Sequence, residues 1–179
     1  RSVMDSSESE AIYFDQENYL LALDYYNRAL IIREKVFGTD HPEVAISYNN
    51  IGLIYHVQEN YSLALDYYNR ALIIKENIFG AGHPEVAMLC NSIGLLYFRQ
   101  ENYPLALEYY NKSLAIREKI YNADHPDVAT LYNNIGAVYY SQGNYPLAME
   151  YLNKALKPLK EYLGIENKEG IGNIVTKYD

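Results

Sequence analysis

The sequence repeats itself every 42 residues: His41-Pro42, His83-Pro84 and His125-Pro126 recur at that interval, followed by Gly52, Gly94 and Gly136 and then by Tyr61, Tyr103 and Tyr145. Superposed without a gap, residues 41–82, 83–124 and 125–166 carry the same residue in 16 of 42 columns. A half copy precedes them, in which Asn18-Tyr19, Ala22 and the run from Tyr25 to Leu30 match Asn60-Tyr61, Ala64 and Tyr67 to Leu72. A period of this length marks an array of identical supersecondary units, each of which buries its apolar face on its neighbours. The repeat therefore constrains the fold before any local propensity is considered.

Each copy reads as two helices. Val44, Ala45, Tyr48, Ile51, Gly52 and Tyr55 fall three and four residues apart, the spacing of one buried helical face. After a polar break, Gln58-Glu59-Asn60, the residues Leu63, Ala64, Tyr67, Tyr68, Ala71, Leu72 and Ile74 to Ile78 mark a longer second helix, and no segment alternates with period two. His41 or Asp40 stands at the N-cap region with Pro42 in the first turn, where a missing N–H costs nothing. Asn60, Asn102 and Asn144 are N-cap candidates for the second helices, and Pro104 and Pro146 follow two of them in the first turn. Gly38, Gly80 and Gly164 are expected to end second helices through a left-handed exit, with Asn122 in that position once. Gly52, Gly94 and Gly136 sit in mid-helix, where glycine costs about 1 kcal/mol relative to alanine. The expected compensation is a close approach of the second helix at Ala64, Ala106 or Ala148. Pro158 replaces Ile74 and Ile116 of the other copies and is expected to kink its helix.

Tyr48, Ile51, Gly52, Tyr55, Ala64, Tyr68 and Ala71 reproduce a spacing of large residue, aliphatic-Gly pair, Tyr, Ala, aromatic and Ala. In this the chain resembles the tetratricopeptide repeat family over nearly its whole length. The copies exceed the family's 34-residue form by eight residues in the second helix. Together with His-Pro-Glu-Val-Ala and Asn49-Asn50-Ile51-Gly52, that length resembles the kinesin light chain-like subtype. The resemblance implies an all-α, right-handed superhelical solenoid of antiparallel helix pairs. Residues 1–179 are expected to form one array: a degenerate repeat over 1–40, full repeats over 41–82, 83–124 and 125–166, and a capping helix over 167–179. Polar Asp5-Ser6-Ser7-Glu8 and Ser9-Glu10 fit a solvent-facing start, and Ile171, Ile174, Val175 and Tyr178 fit an amphipathic end.

Composition narrows the function classes. The net charge is −8, from 15 basic and 23 acidic residues, so the clustered cations that bind nucleic acid phosphates are lacking. There is one cysteine, Cys90, and no apolar run of membrane-spanning length. The expectation is a cytoplasmic protein that engages neither nucleic acid nor membrane. Arg1 in place of an initiator Met suggests a fragment of something longer.

No catalytic constellation is legible: Walker, Rossmann, His-Glu-x-x-His and Gly-x-Ser-x-Gly patterns are all missing. The chain is read as no enzyme, with no cofactor and no metal. The three His-Pro histidines are one repeat apart, and helix axes pack 8–10 Å from each other, too far for shared metal ligation. They are expected to cap helices and pack on the preceding repeat. Cys90 occupies the column of Tyr48 and Tyr132 and reads as a small hydrophobe at a repeat junction. Asp15 and Glu17, like Glu8 and Glu10, read as solvated charge.

Asn49, Asn91 and Asn133 form one row on the first helices, and Asn50 and Asn134, with Ser92 between them, a second. The family resemblance implies that the first row faces the concave groove. An amide both donates and accepts, so such a row can satisfy the backbone of an extended peptide. The same face would present Leu53, His56, Leu95, Arg99 and Tyr140 as neighbours, with Ile46, Met88, Thr130 and Ala137. Arg99 is the one fixed cation among them, a departure from the carboxylate-clamp type of tetratricopeptide domain. The expected function is protein–protein interaction, with a partner peptide held by the Asn ladder and apolar anchors. Two alternatives stand beside it: the amides tie helices together, or the array is a spacer that self-associates through its ends. Asn27, Asn69, Asn111 and Asn153 on the second helices read as structural or convex.

Overall fold

The computed structural model describes residues 18–163, which form seven helices and no strand. In chain order these are α1 (Tyr19–Phe37), α2 (Pro42–Val57), α3 (Tyr61–Phe79), α4 (Pro84–Arg99), α5 (Tyr103–Ile120), α6 (Pro126–Ser141) and α7 (Tyr145–Leu163). The features expected at residues 1–17 and 164–179, including Gly164 and the last amphipathic helix, lie outside the described residues.

The helix starts follow the sequence. His41, His83 and His125 are extended N-caps whose Nδ1 accepts the N–H of Glu43, Glu85 and Asp127, each at 3.2 Å. Each ring also stacks on an aromatic at the end of the preceding helix or just past it: Phe37 on His41 and Phe79 on His83 at 4.5 Å, Tyr121 on His125 at 3.8 Å. Because Nδ1 accepts, each imidazole carries its proton on Nε2. Asn18, Asn60, Asn102 and Asn144 cap the second helices, their Oδ1 accepting the N–H three residues on at 3.3–3.4 Å.

The helix ends hold two departures. Gly38 and Gly80 have φ of +86° and +83° as expected, but their ψ of 164° and 156° is extended rather than left-handed helical. That region is open essentially to glycine alone. The left-handed positions proper lie elsewhere, at Glu59 (φ 59°), Glu101 (φ 58°) and Gly143 (φ 75°), which close the first helices. The following N–H reaches back five residues, from Asn60 to Tyr55, Asn102 to Tyr97 and Asn144 to Tyr139, at 2.8–2.9 Å. This is the Schellman closure, in which glycine is favoured. A non-glycine residue there strains by about 1–2 kcal/mol. Glu101→Gly is therefore expected to raise stability by about 0.5–1 kcal/mol, after the added unfolded-state freedom is subtracted. Gly143→Glu should lower it by a similar amount, and paired urea denaturation midpoints would test both signs.

The chain divides into two compact units, with the boundary between Tyr109 and Tyr110 inside α5. In the first, each of α1, α2 and α3 packs on its successor. Ala22 and Tyr26 of α1 bury against Ile51 and Ile54 of α2, with Tyr55 and Tyr67 closing the cluster. The expected stripe is buried in outline, and Ser47 and Ile54 join it, while Leu63 and Ile78 stay exposed. In the second unit, α6 packs on α7 around Leu131, Ile135, Val138 and Ala148. Helix α7 runs on through Pro158 to Leu163, so the proline does not end it.

Mid-helix glycine does mark close packing, but not against the alanines alone. A Cβ on Gly52 would stand 2.8 Å from Tyr68 Cδ1 and 2.9 Å from its Cε1. One on Gly136 would meet Leu152 Cγ at 3.0 Å and the Ala148 carbonyl oxygen at 3.3 Å. The side chain one turn beyond the alanine fills the space that glycine leaves.

Burial sets two tyrosines apart. Burial pushes the Tyr68 phenol up to about 12. Tyr132 also rises to about 12, through burial and then its hydrogen bond to Glu118. A raised phenol pKa contributes stability that is complete below the ordinary value near 10 and is lost as pH climbs through the folded value. The urea midpoint is expected to fall between about pH 10 and 12, and Tyr68→Phe, neutral in charge throughout, should make that fall shallower.

Candidate functional site

Helical spacing brings two sets of side chains onto single faces. On α2, Ile46, Asn49, Leu53 and His56 follow one another at intervals of three and four, and on α4 Met88, Asn91, Leu95 and Arg99 do the same. The apolar members are open: Ile46 and Leu53 are each 38% exposed and Met88 is 45% exposed. Asn49, Asn50, Asn91 and Leu95 are half-buried. Among the described residues, none hydrogen-bonds the side chains of Asn49 or Asn50, whereas Asn91 is engaged. Ser92, the odd member of the second row, donates its hydroxyl to the Met88 carbonyl of its own helix at 3.2 Å.

His56 and Arg99 lie close enough for their charges to interact. Burial lowers the His56 pKa first, and the Arg99 guanidinium lowers it further. The His56 ring meets the edge of Tyr61 at 6.3 Å, so its apolar side rests on the start of α3.

The corresponding face of α6, described within the second unit, differs in chemistry. Thr130 donates to the Pro126 carbonyl at 2.9 Å, Asn133 is exposed, Asn134 is half-buried and engaged, and Ala137 is half-buried. Tyr140 is 63% exposed, and its ring stands edge-on to Tyr145 at 5.5 Å. Of the other amide row, Asn27 donates to the Leu23 carbonyl of its own helix at 2.8 Å, a structural role as expected.

Sequence reasoning missed a second repeating constellation. Arg33, Lys75 and Arg117, 42 residues apart, reach the acidic residue two places after the next His: Glu43, Glu85 and Asp127. Arg33 Nη1 also donates to the buried Ser47 hydroxyl at 2.6 Å. Tyr48 and Tyr132 donate to Glu34 and Glu118 at 3.0 and 2.7 Å, and Cys90, buried in their column on α4, substitutes a small side chain there. The signal was present as charge at fixed ten- and fourteen-residue offsets, hidden by the expectation that charge faces water. These groups tie each second helix to the next first helix. Among the described residues no three His, Cys, Asp or Glu are placed to hold a metal ion, and no helix is long and apolar enough to cross a membrane.

Helix pairs closed by small residues at their crossing and joined by capped turns define an α-helical repeat protein. The chain belongs to the tetratricopeptide repeat family, whose pattern matches residues 11–77, 49–119 and 85–160. It is similar in fold to BtubC (BKLC) from P. vanneervenii, with a TM-score of 0.81 and 24% identity over 91% of this chain. It spans 65% of that protein's length. A putative kinesin light chain with nearly identical TPR-like repeats from Podosopora anserina matches at TM-score 0.77 and 16% identity, over 89% of this chain and 75% of that one. The Rap conjugation gene regulator of plasmid pLS20, solved in complex with the Phr* peptide, matches at 0.68 and 18% identity over 83% of this chain and 40% of its own. No curated protein matches the sequence.

Proposed function

We propose that this chain is a protein-interaction module that takes a peptide segment of a partner on its first-helix faces, with Asn49 and Asn91 carrying the contact in the first unit and Asn133 in the second. The observation that carries the reading is the pairing of amides with open apolar side chains on α2: among the described residues the Asn49 and Asn50 side chains have no hydrogen-bond partner, and they stand beside exposed Ile46 and Leu53. Solvated amides can exchange water for peptide backbone at little cost, and half-exposed aliphatics gain from being covered. The peptide complex of the Rap regulator, a protein of similar fold, supports the same reading. Leu95, His56, Arg99 and Tyr140 complete the contact set, with Asn50 and Asn134 as the second row.

The test is selection of displayed random peptides on the chain, followed by binding to a variant with Asn49, Asn91 and Asn133 all changed to Ala. Circular dichroism first establishes equal helicity. The expected result is a loss of about tenfold or more, since three amide contacts at roughly 0.5–1.5 kcal/mol each are removed. Equal binding by the folded variant would overturn the groove role of the ladder. A second reading, self-association, draws on Ile31 and Ile73, which stay 64% and 58% exposed on the second helices. Sedimentation across a concentration series separates the two.

A further inference from the structure

We infer that the second half of α1 is a docking surface for an amphipathic helix donated by another protein, one that presents two adjacent small or aliphatic residues and, a turn later, an aromatic. That helix completes in trans the repeat to which α1 belongs. The surface is separate from the amide face of the first helices.

Comparison along one repeat column isolates the surface. Ile74 and Ile116 are 5% and 8% exposed, whereas Ile32, the same residue in the same column of α1, is 55% exposed. Val36, one turn further on, is exposed as well. Together they form an apolar strip along the end of a helix, the kind of surface that gains from being covered.

The molecule itself shows what lies along this part of a second helix. In the first unit Tyr55 of α2 stacks on Tyr67 of α3 at 5.6 Å, while Tyr48, two turns earlier, stands 5.8 Å from the Arg70 guanidinium further along α3. The pair therefore runs antiparallel, and the first half of α2 lies beside the second half of α3. The second unit repeats the arrangement, with Tyr139 on Tyr151 at 5.6 Å and Lys154 over Tyr132 at 5.9 Å. On α1 the same column holds Arg28, whose side chain is exposed.

The residues that precede α1 do not carry the covering chemistry. Ser2, Ser6, Ser9 and Glu10 stand in the columns of Val44, Tyr48, Ile51 and Gly52, and the match resumes at Ile12-Tyr13, the counterparts of Ile54-Tyr55. The pattern lost is that of the first half of a first helix, the half that flanks Ile32 and Val36 in this packing. Glutamate is also too large for the glycine column, where even a Cβ on Gly52 would stand 2.8 Å from Tyr68. A donated helix with the pattern of Val44-Ala45 and Tyr48 sets its aliphatic pair on the strip and its aromatic against the Arg28 guanidinium, as Tyr48 stands to Arg70. A second copy has no such helix to offer among its described residues, because Val44, Val86 and Val128 are each buried within their own repeats. The occupant is therefore another protein.

The probe is a fluorescent synthetic peptide of residues 41–57, the α2 sequence freed from its own repeat, titrated into the full chain. Saturable binding is expected, weakened about tenfold or more by Ile32→Asp in the chain and by Tyr48→Ala in the peptide. Leu20→Asp should bind as wild type, since Leu20 is exposed on the same helix but a third of the way round from Ile32. No saturable binding, or equal binding by Ile32→Asp, would overturn the inference. Sedimentation of the chain without peptide distinguishes the other occupant: a dimer abolished by Ile32→Asp would give the surface to a second copy and overturn the choice of partner. Ile32 is exposed, so its substitution leaves helicity unchanged, as circular dichroism would verify, and the Tyr48→Ala peptide tests the aromatic contact with the chain unaltered. Every outcome leaves the groove reading where it stands, because the amide face takes no part in these variants.

Discussion

Glu85→Ala is expected to cost the folded chain about 2–3 kcal/mol, whereas Lys75→Met, which removes the other half of the same ion pair, should cost less than about 1 kcal/mol. The asymmetry follows from burial. Lys75 is 5% exposed as a residue, while the Glu85 side chain is 41% exposed. Truncating Glu85 leaves the ammonium in a desolvated position facing the Phe79 ring, 5.3 Å away. Replacing Lys75 by methionine keeps the aliphatic packing and returns a half-exposed carboxylate to water. That carboxylate also lies in the first turn of α4, where the helix dipole favours it. Urea denaturation of both variants and the double mutant gives the coupling directly. Equal losses in the two single variants would show that packing of the lysine stem, rather than charge, holds α3 to α4.

The second large effect is at the helix crossing. Gly52→Ala is expected to destabilise by about 1–2 kcal/mol even though alanine is the better helix former by about 1 kcal/mol. The added methyl would lie 2.8 Å from a ring carbon of Tyr68, whose side chain is itself buried and cannot swing away. The equivalent Gly136→Ala meets the branch of Leu152 at 3.0–3.1 Å and the Ala148 carbonyl oxygen at 3.3 Å; a half-buried leucine can change rotamer while the carbonyl cannot, so the net loss should be smaller than at Gly52. Thermal midpoints of the two variants would therefore separate, with Gly52→Ala lower. A stabilised Gly52→Ala would mean that Tyr68 is not pinned and that the glycine serves something other than the crossing.

Much of this was legible in the chain. The caps at His41 and Asn60 were readable because capping is local chemistry: an acceptor two or three residues before a free N–H needs only its own turn to form. The helix pairs were readable because a stripe at intervals of three and four has one way to be buried. The left-handed residues were harder, since Glu59 and Glu101 occupy positions that only Gly143 advertises. The candidate site was legible as residue types in columns, but not as a surface. Nothing in the sequence distinguishes an amide spent on its own helix, as at Asn27, from one left with capacity, as at Asn49.

The sequence by itself determined the period, the helices and their ends, because these depend on contacts within a few residues. Only the tertiary structure decided which charges go inside. Arg33, Lys75 and Arg117 read as ordinary surface cations until α2, α4 and α6 bring Glu43, Glu85 and Asp127 against them. The physical reason is that a charge is tolerated out of water only where a partner from another helix compensates its desolvation, and no local pattern encodes that partner's arrival.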